Sequence, residues 1–416
     1  MMKSKGYVVI LVFTFMLCLY SQAQEKESEY DAAMKGAREA VAQKDWAEAA
    51  KCFSKALRIK PNDTAAKEGF LEAIRNVEIY NTRFGDLKSQ MLEKYGMKGV
   101  DEEMIQPALK YLAKVQREDG SWRCKPTDAT DDKATTAFAL LAFLADGNSE
   151  VVGQYRETVK KAVKYLLSQQ KPDGSFGGAR LYTEGLVTLA ITEAFAMGGT
   201  EETYTAAQKG INYIVKCQKP EGGWMYSMND YGSGDVSVTG MMFQPLMQGQ
   251  CAYLDFDSRA LERGRKFIDR LTFDNGWVRY REHDDRHSPA MVAIGNLVRL
   301  YAGVPLEDAN IQAGLKLLRE NMESAKRNMY FMYYGTMLAF LAGGELWKDW
   351  SKMMVTHLRE TQVKEGENRG CWEPKGSGLE SGFADYITAV ENTAMAVLSL
   401  QCCYRYVPKK MLTEKK

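Results

Sequence analysis

Acidic residues and one histidine are the side chains of this 416-residue chain whose types and positions could do chemistry. Asp131, Asp132, Asp235 and His287 each stand just before a stretch that reads as an apolar helix. Two carboxylates held about 5–9.5 Å apart act as acid and base in glycoside hydrolysis, and an imidazole serves as general acid or base in many other reactions. The same residue types also cap helix N-termini. These four are therefore candidate catalytic residues, and helix capping is the alternative.

The segment from His283 to His287 is the part of the sequence that resembles a metal-binding motif. Two histidines four positions apart bind zinc when they share one face of a helix. Here Ser288 and Pro289 follow at once, and proline is favoured in the first turn of a helix. We therefore predict a solvated loop, with His287 or Ser288 capping the helix that begins near Ala290. We expect neither a metal nor another cofactor.

A loop rich in glycine and aromatic residues, at 224–235, is the first candidate for ligand contact. Aromatic faces supply apolar contact area, and carboxylates accept hydrogen bonds from hydroxyl groups. Such a loop suits a carbohydrate or another neutral polar ligand, and an ordinary inter-helix connection is the alternative. The candidate ligand-binding residues, in this loop and around the starts of two later helices, are Trp224, Tyr226, Asp230, Tyr334 and Tyr386.

These residues must be positioned by a repeat of helices. A sequence motif that starts with Gln, continues through a glycine turn and ends with an aromatic residue occurs at 116–122, 170–176 and 218–224. The spacings between its copies are 54 and 48 residues. A period near 50 built from helices indicates an array of helical hairpins. Each unit pairs an amphipathic helix with one that is apolar nearly all round, which predicts an outer and an inner layer. Six such pairs predict an all-α protein, a closed α/α toroid whose inner helices begin at one end.

The repeated turn also has a structural explanation. Glycine at a helix end accepts a positive φ, the aromatic residue fills the space between hairpins, and Gln can bond to the helix end of a neighbour. Ligand stacking is the alternative role of these aromatic residues. We predict that five aromatic side chains are packing clamps, meaning that they are buried between adjacent hairpins and hold them together. They are Trp122, Phe176, Trp224, Trp277 and Trp372.

Over residues 99–408 the repeat motifs resemble the prenyltransferase and squalene-oxidase repeat family. Besides the three turns, the likeness includes 333–336, 342–347, 370–374 and the helix at 393–400. The resemblance implies the α/α toroid that terpene cyclases and protein prenyltransferases share. It implies less about activity, because one fold hosts many functions.

Neither established catalytic pattern of that fold is complete in this chain. The Asp-x-Asp-Asp run of the cyclases has its nearest counterpart at 128–132, where Ala129 stands at the first position of the motif. The Asp, Cys and His that hold zinc in protein prenyltransferases have no counterpart. We therefore expect a non-catalytic ligand-binding or protein-scaffolding module. The alternative is a secreted enzyme that acts on a glycan, as a lyase or hydrolase, or on an isoprenoid in the toroid cavity.

The N-terminal region predicts export. Residues 1–23 hold two lysines, an apolar run and small residues at a cleavage position, which is typical of a secretory signal peptide. Residues 24–98 follow as a helical region whose hairpin at 30–63 resembles the tetratricopeptide repeat and is expected to contact a partner protein. A basic tail at 409–416 ends the chain. We expect a periplasmic or extracellular location.

The composition argues against several other classes. The formal charge of +1 gives no electrostatic reason to bind nucleic acid. After the signal peptide, no run reaches the roughly 18 apolar residues that a membrane-spanning helix needs. The seven later cysteines are scattered and odd in number, so no disulfide framework is expected.

Overall fold

A computed structural model describes residues 4–77, 79–124, 131–178, 180–374 and 387–405. Internal contacts divide the chain into two units, Met1–Ile79 with Tyr253–Asp255, and Tyr80–Ala252 with Phe256–Lys416. Residues 80–98, which the sequence placed in the N-terminal region, thus belong to the second unit. Their contacts explain this, since the Thr82 hydroxyl donates to the Tyr404 carbonyl at 2.8 Å and Lys88 pairs with Asp146 at 2.7 Å.

The described residues of the N-terminal unit form three helices: α1 (Ser4–Ala42), α2 (Trp46–Ile59) and α3 (Thr64–Asn76). Asp45 and Asp63 cap α2 and α3 by accepting backbone hydrogen bonds. Small residues at the α1–α2 contact, Ala37 and Ala49 among them, are fully buried, which lets the two helices approach closely. Helix α1 covers residues 4–23 of the predicted signal peptide and continues beyond them. No helix in the described part of the chain is long and apolar enough to cross a membrane.

In the second unit a 3-10 turn (Asn81–Arg83) precedes the first α-helix, α4 (Gly85–Lys94), and the last α-helix within the described residues is α17 (Cys402–Arg405). Between them outer and inner helices alternate. The outer helices are α5 (Gln106–Lys114), α7 (Arg156–Ser168), α9 (Glu201–Lys216), α11 (Arg259–Arg270), α13 (Ala309–Glu320) and α15 (Gly344–Thr361). The inner helices are α6 (Asp132–Ala145), α8 (Leu181–Gly198), α10 (Val236–Cys251), α12 (Pro289–Tyr301), α14 (Met329–Ala342) and α16 (Ala389–Leu400).

The inner helices form a closed ring. Each contacts the next one along the chain, and α16 returns to contact α6. Every residue of α6 from Ala134 to Ala145 is buried, whereas α7 buries only one stripe, at Val159, Ala162, Val163 and Leu166. An all-round apolar helix must be covered on every side, so it takes the inner layer. The predicted all-α toroid of about six hairpins is confirmed.

The repeated turns are packing clamps at four of the five predicted positions. Trp122, Phe176, Trp224 and Trp372 are at most 2% exposed. In three of the turns the indole donates to a carbonyl of the preceding outer helix, as Trp224 does to Ile214 at 2.8 Å. Trp277 differs, because it is half-exposed and the following Val278 is fully buried.

The Gln residue of the turn bonds to the next hairpin, as predicted. Gln170 donates both to the carbonyl of Gly174 in its own turn and to that of Ala206 in α9. Gln362, in the last turn, donates to Gly370 and back to Met104, just before α5. The outer layer is therefore closed by the same bond that joins its internal units.

The segment predicted as a loop at 283–287 is part of a short antiparallel hairpin of β1 (Arg279–Arg281) and β2 (Asp284–His287). His283 makes the turn with a φ of 64°, and Arg279 pairs across the strands with Asp285 at 3.0 Å.

Candidate functional site

The inner helices begin at one end of the toroid, which we call the rim. Two side-chain contacts show this convergence: the Tyr182 hydroxyl at the start of α8 lies 3.3 Å from that of Tyr334 near the start of α14, and Thr135 in the first turn of α6 donates to Glu391 in the first turn of α16. Residues that are far apart in sequence therefore become neighbours, as the parallel arrangement predicted.

Asp131 and Asp132 are both engaged at the start of α6. Asp131 caps the helix by accepting from the backbone of Lys133 and Ala134 at 3.0 and 3.1 Å. Asp132 accepts from the Cys124 backbone at 2.8 Å and pairs with Arg117 at 2.5 Å. Burial of Asp132 favours a higher pKa, but these two partners outweigh it and lower the pKa of the carboxyl. Asp132 is therefore held as a carboxylate.

Asp235 is the most enclosed of the predicted catalytic candidates, with no solvent exposure. One carboxylate oxygen caps α10 through the backbone of Ser237 and Val238, at 2.9 and 3.2 Å, and also accepts from the Ser237 hydroxyl. The other oxygen accepts from Nε of Arg281 at 2.9 Å. The carboxylate thus fastens the β-hairpin to the start of α10.

Two buried glutamates complete the acidic part of the rim. Glu184 accepts from the backbone nitrogens of Phe176 and Gly178 at 2.6 and 2.7 Å. Glu391 accepts from Thr135 and forms a capping box with Thr388. Burial raises the pKa of both carboxyls, and the negative charge of Asp131 adds to the effect. Glu391 was not among the sequence candidates, although the Thr-x-x-Glu spacing is a recognisable capping signal.

His287 lies exposed on β2 rather than in the acidic cluster. Its Nδ1 is 2.9 Å from the Asp285 carbonyl, and its ring centroid lies 4.6 Å from that of Trp277. The cap of α12 is Ser288, one of the two predicted candidates. Among the described residues no group of three or more His, Cys, Asp or Glu side chains is placed to hold a metal ion.

The aromatic part of the rim is centred on Tyr226. Its hydroxyl lies 2.8 Å from that of Tyr280 on β1 and 3.1 Å from that of Ser237, so it joins the loop, the hairpin and α10. Burial raises the pKa of Tyr226, which keeps the phenol protonated. Tyr280 was missed because a hairpin partner cannot be identified from its position in the chain.

The other loop candidates differ in exposure. Trp224 is buried and its indole bonds within its own hairpin. Asp230 accepts from the Ser227 backbone at 2.9 Å, which shapes the loop. Beside it Tyr231 is 99% exposed. The loop therefore presents Tyr231 outward and holds Tyr226 in the hydroxyl network.

A tyrosine cluster crosses the interior of the ring. Tyr182 on α8 and Tyr334 on α14 belong to opposite helices, so their contact spans the toroid. The ring of Tyr334 also packs edge-on against Tyr330 and Tyr333, with centroids 4.8 and 5.1 Å apart. Burial raises the pKa of Tyr334 well above its ordinary value. Tyr386, the last predicted ligand residue, lies outside the described residues.

The opposite end of the toroid is closed by buried charges. Glu193 on α8 pairs with Arg83 at 2.8 Å and with Arg405 at 3.1 Å, and all three side chains have no solvent exposure. The two guanidinium groups lower the pKa of Glu193 despite its burial.

Comparison with known proteins gives the family and the fold. The sequence model of the prenyltransferase alpha-alpha toroid domain matches residues 67–185 and 185–323. Drimenyl diphosphate synthase of Streptantibioticus cattleyicolor is 36% identical over 69 residues, 17% of this chain and 12% of that protein. Lanosterol synthase of Candida albicans is 23% identical over 168 residues, 37% of this chain and 22% of that protein. The matches thus span less than a quarter of either relative.

Similar solved structures include proteins of different activities. A cellobiose 2-epimerase from Spirochaeta thermophila has a TM-score of 0.56 at 11% identity, covering 77% of this chain and 99% of its own. A type II terpene cyclase from Scytonema, solved with merosterolic acid A, has a TM-score of 0.52 at 13% identity and the same coverage. An alpha-1,6-mannanase from Salegentibacter, solved with mannotriose, has a TM-score of 0.52 at 11% identity, covering 73% and 98%. At these identities the likeness establishes the toroid alone.

Proposed function

The chain belongs to the prenyltransferase alpha-alpha toroid family, and we propose that it is a non-catalytic binding protein that holds a saccharide at its rim. One observation carries the proposal. Among the described residues, each rim carboxylate is bound by its own chain, whereas tyrosine rings and hydroxyls line the same end of the toroid. The rim therefore offers stacking faces and hydrogen-bonding hydroxyls rather than an acid and a base.

The hydrogen bonds and ion pairs that the rim carboxylates form within the chain argue against catalysis. A glycosidase needs one carboxyl group to give a proton and a second one to attack or to activate water. Asp132 is paired with Arg117, and Asp235 is both a helix cap and the partner of Arg281. Moving either group toward a substrate would break contacts that stabilise the helix starts.

The tyrosine cluster favours a saccharide over an isoprenoid. A long prenyl chain needs a continuous apolar channel, but the Tyr182–Tyr334 contact crosses the interior near the rim. Tyrosine presents both a ring face for stacking and a hydroxyl that donates and accepts, which suits a polyhydroxylated ligand. Exposed Tyr231 adds a ring on the solvent side.

Calorimetric titration with neutral oligosaccharides, together with a thermal-shift assay, tests the proposal. A ligand at 100 times its Kd stabilises a protein by about 2.7 kcal/mol, which a melting curve detects. We expect an oligosaccharide to bind without being cleaved, and Tyr226→Ala to weaken its binding. Tyr155→Ala, directly before outer helix α7 and at the end of the toroid opposite the rim, is the matched control and should bind normally. Binding of geranylgeranyl diphosphate alone, or binding unaffected by Tyr226→Ala, would contradict the proposal.

A glycan-active enzyme is the second candidate, and one observation favours it. Burial raises the pKa of Glu184 and Glu391, and a raised carboxyl pKa is what a general acid requires. Release of new reducing or unsaturated ends from a polysaccharide, lost in Glu391→Gln while the melting temperature is kept, would establish this alternative.

We also propose that the protein is exported after cleavage near residue 23, on the basis of the signal-peptide pattern. N-terminal sequencing of the protein from a periplasmic or culture fraction tests this location.

The partner protein expected for the hairpin at 30–63 stays a prediction. Co-purification with and without substitutions on the exposed faces of α1 and α2 tests it.

A further inference from the structure

Two guanidinium groups lie beside the ring of Tyr226. The guanidinium carbon of Arg180, directly before α8, is 5.1 Å from the ring centroid, and that of Arg281 on β1 is 5.5 Å from it. Both distances are in the range of a cation–π contact. The ring of one candidate ligand residue therefore brings together two cations from separate parts of the chain.

The hydrogen bond of Arg281 to Asp235 uses one side of its guanidinium group and leaves the other side available to a ligand. Its Nε donates to Asp235 at 2.9 Å, while neither terminal nitrogen has a hydrogen-bond partner among the described residues. The side chain is 36% exposed, whereas Asp235 is wholly buried. The buried carboxylate thus fixes the group from one side and leaves its two terminal nitrogens free to donate to a ligand.

Arg180 carries a charge that the described chain does not balance. It is exposed, its guanidinium group contacts the Tyr226 ring, and that group forms no hydrogen bond or ion pair with a described residue. Arg286 is a contrast, because Asp284 holds its guanidinium group through Nε and a terminal nitrogen, at 2.9 and 2.7 Å. Among the described residues, the two guanidinium groups beside the Tyr226 ring therefore have one paired carboxylate, that of Asp235, which also caps α10.

We propose that Arg180 and Arg281 form an oxyanion site beside Tyr226, and that the saccharide held at the rim is an acidic one, bearing a carboxylate or sulfate. Guanidinium groups bind such oxyanions through paired, charge-assisted hydrogen bonds. The Tyr226 ring and the neighbouring Tyr280 hydroxyl contact the uncharged part of the sugar. This inference rests on the proposed function and adds the charge of the ligand to it.

Titration calorimetry with the full chain and matched probes tests the site. The probes are a short oligogalacturonate, a neutral cello-oligosaccharide of equal length, inorganic pyrophosphate and geranylgeranyl diphosphate. We expect the acidic sugar to bind at least about tenfold more tightly than the neutral one at low salt, with an advantage that shrinks as salt is added. Arg180→Gln should remove the advantage of the acidic sugar, because it removes one of the two guanidinium groups beside Tyr226.

Arg156→Gln is the control, because it removes the same charge at the start of outer helix α7, at the other end of the toroid. It should leave the preference intact. Equal affinity for acidic and neutral sugars, or a preference that survives Arg180→Gln, would overturn the oxyanion site while leaving saccharide binding in place. Binding of pyrophosphate or the prenyl diphosphate through Arg180, with no sugar bound, would overturn both proposals.

Discussion

Asp235 joins two roles in one buried carboxylate: it caps α10 and pairs with Arg281. We expect Asp235→Ala to lower the free energy of unfolding by about 2–4 kcal/mol, because a lost cap and a lost bond to a charged group both contribute. Asp235→Asn keeps an oxygen for the cap, so its loss should be about half as large. Urea unfolding followed by circular dichroism measures both.

Asp131 provides the comparison for this prediction. It caps α6 in the same way, but its side chain is 20% exposed and it pairs with Lys133 at 3.7 Å. Asp131→Ala should therefore cost only about 1 kcal/mol. Equal losses at Asp131 and Asp235 would mean that the pair with Arg281 contributes nothing to stability.

The buried carboxyl of Glu391 makes stability depend on pH in a defined direction. Its folded pKa lies above the ordinary 4.5, so its contribution is fully present below pH 4.5 and is lost as the pH rises through the folded pKa. Glu391→Gln lacks this loss. Its stability relative to the native chain should therefore increase as the pH rises from 4.5, as measured by urea midpoints at successive pH values.

Asp119 supplies a control of opposite sign. Hydrogen bonds from Ser121 lower the pKa of this carboxyl, so its contribution is present above the ordinary value of 3.8 and is lost below it. Asp119→Asn should therefore become less stable, relative to the native chain, as the pH rises through that value. A pH-independent difference for Glu391→Gln would show that its carboxyl is not destabilised by burial.

Residue types predicted the helix caps but not the long-range pairs. An acid before an apolar helix is a cap by its position, and Asp131 and Asp235 are caps in the structure. The contacts of Tyr226 with Tyr280, and of Tyr182 with Tyr334, join residues 54 and 152 positions apart. Such pairs depend on how the ring closes, which no local pattern encodes.

At the level of the elements, each glycine turn fits directly onto the next outer helix. Gly222 has a φ of 101°, and a Cβ there would lie 2.2 Å from the Arg263 carbonyl in α11. We expect Gly222→Ala to lower the free energy of unfolding by about 3 kcal/mol or more, because it adds a steric clash to backbone strain. Thermal unfolding of the purified variant measures the loss.

A substitution at Gly303 measures the cost of backbone strain without a steric clash. Its φ is 83°, but a Cβ there would meet nothing within 4 Å. Gly303→Ala should therefore cost only about 1 kcal/mol, the strain of a positive φ. If the two variants lose the same stability, the close approach of the turn to α11 is not what holds the hairpins together.

The elements that sequence patterns missed are those without a helical period. The β1–β2 hairpin consists mostly of charged residues, so no apolar alternation marks it as a strand pair. Ion pairs and the positive φ of His283 define it instead. Trp277 precedes this hairpin and packs against His287. At this turn Val278, rather than the tryptophan, is the fully buried side chain.

For the whole molecule, the fold was predictable because its periodicity is strong. Alternation of amphipathic and apolar helices, repeated about every 50 residues, specified the inner and outer layers and the end at which the rim lies. The filling of the interior was not predictable, because it depends on side chains from opposite helices. The Tyr182–Tyr334 contact, which joins helices on opposite sides of the ring, is the main example.

Closure of the ring predicts that the last hairpin is as firmly held as an internal one. Gln362 bonds to Met104 and Gly370 at 2.9 and 3.0 Å, and Gln170 makes the equivalent bonds to Ala206 and Gly174 at 2.9 and 3.1 Å. Gln362→Ala and Gln170→Ala should each cost about 2 kcal/mol, since each removes two hydrogen bonds.

Hydrogen exchange distinguishes this closed ring from an open array. In an open array the terminal helices exchange first and their contacts contribute little to global stability. In a closed ring, α5 and α16 should be protected as strongly as α8 and α10, and both Gln variants should unfold in one transition. Early exchange confined to α5 and α16, together with no stability loss in Gln362→Ala, would show that the chain behaves in solution as an open array.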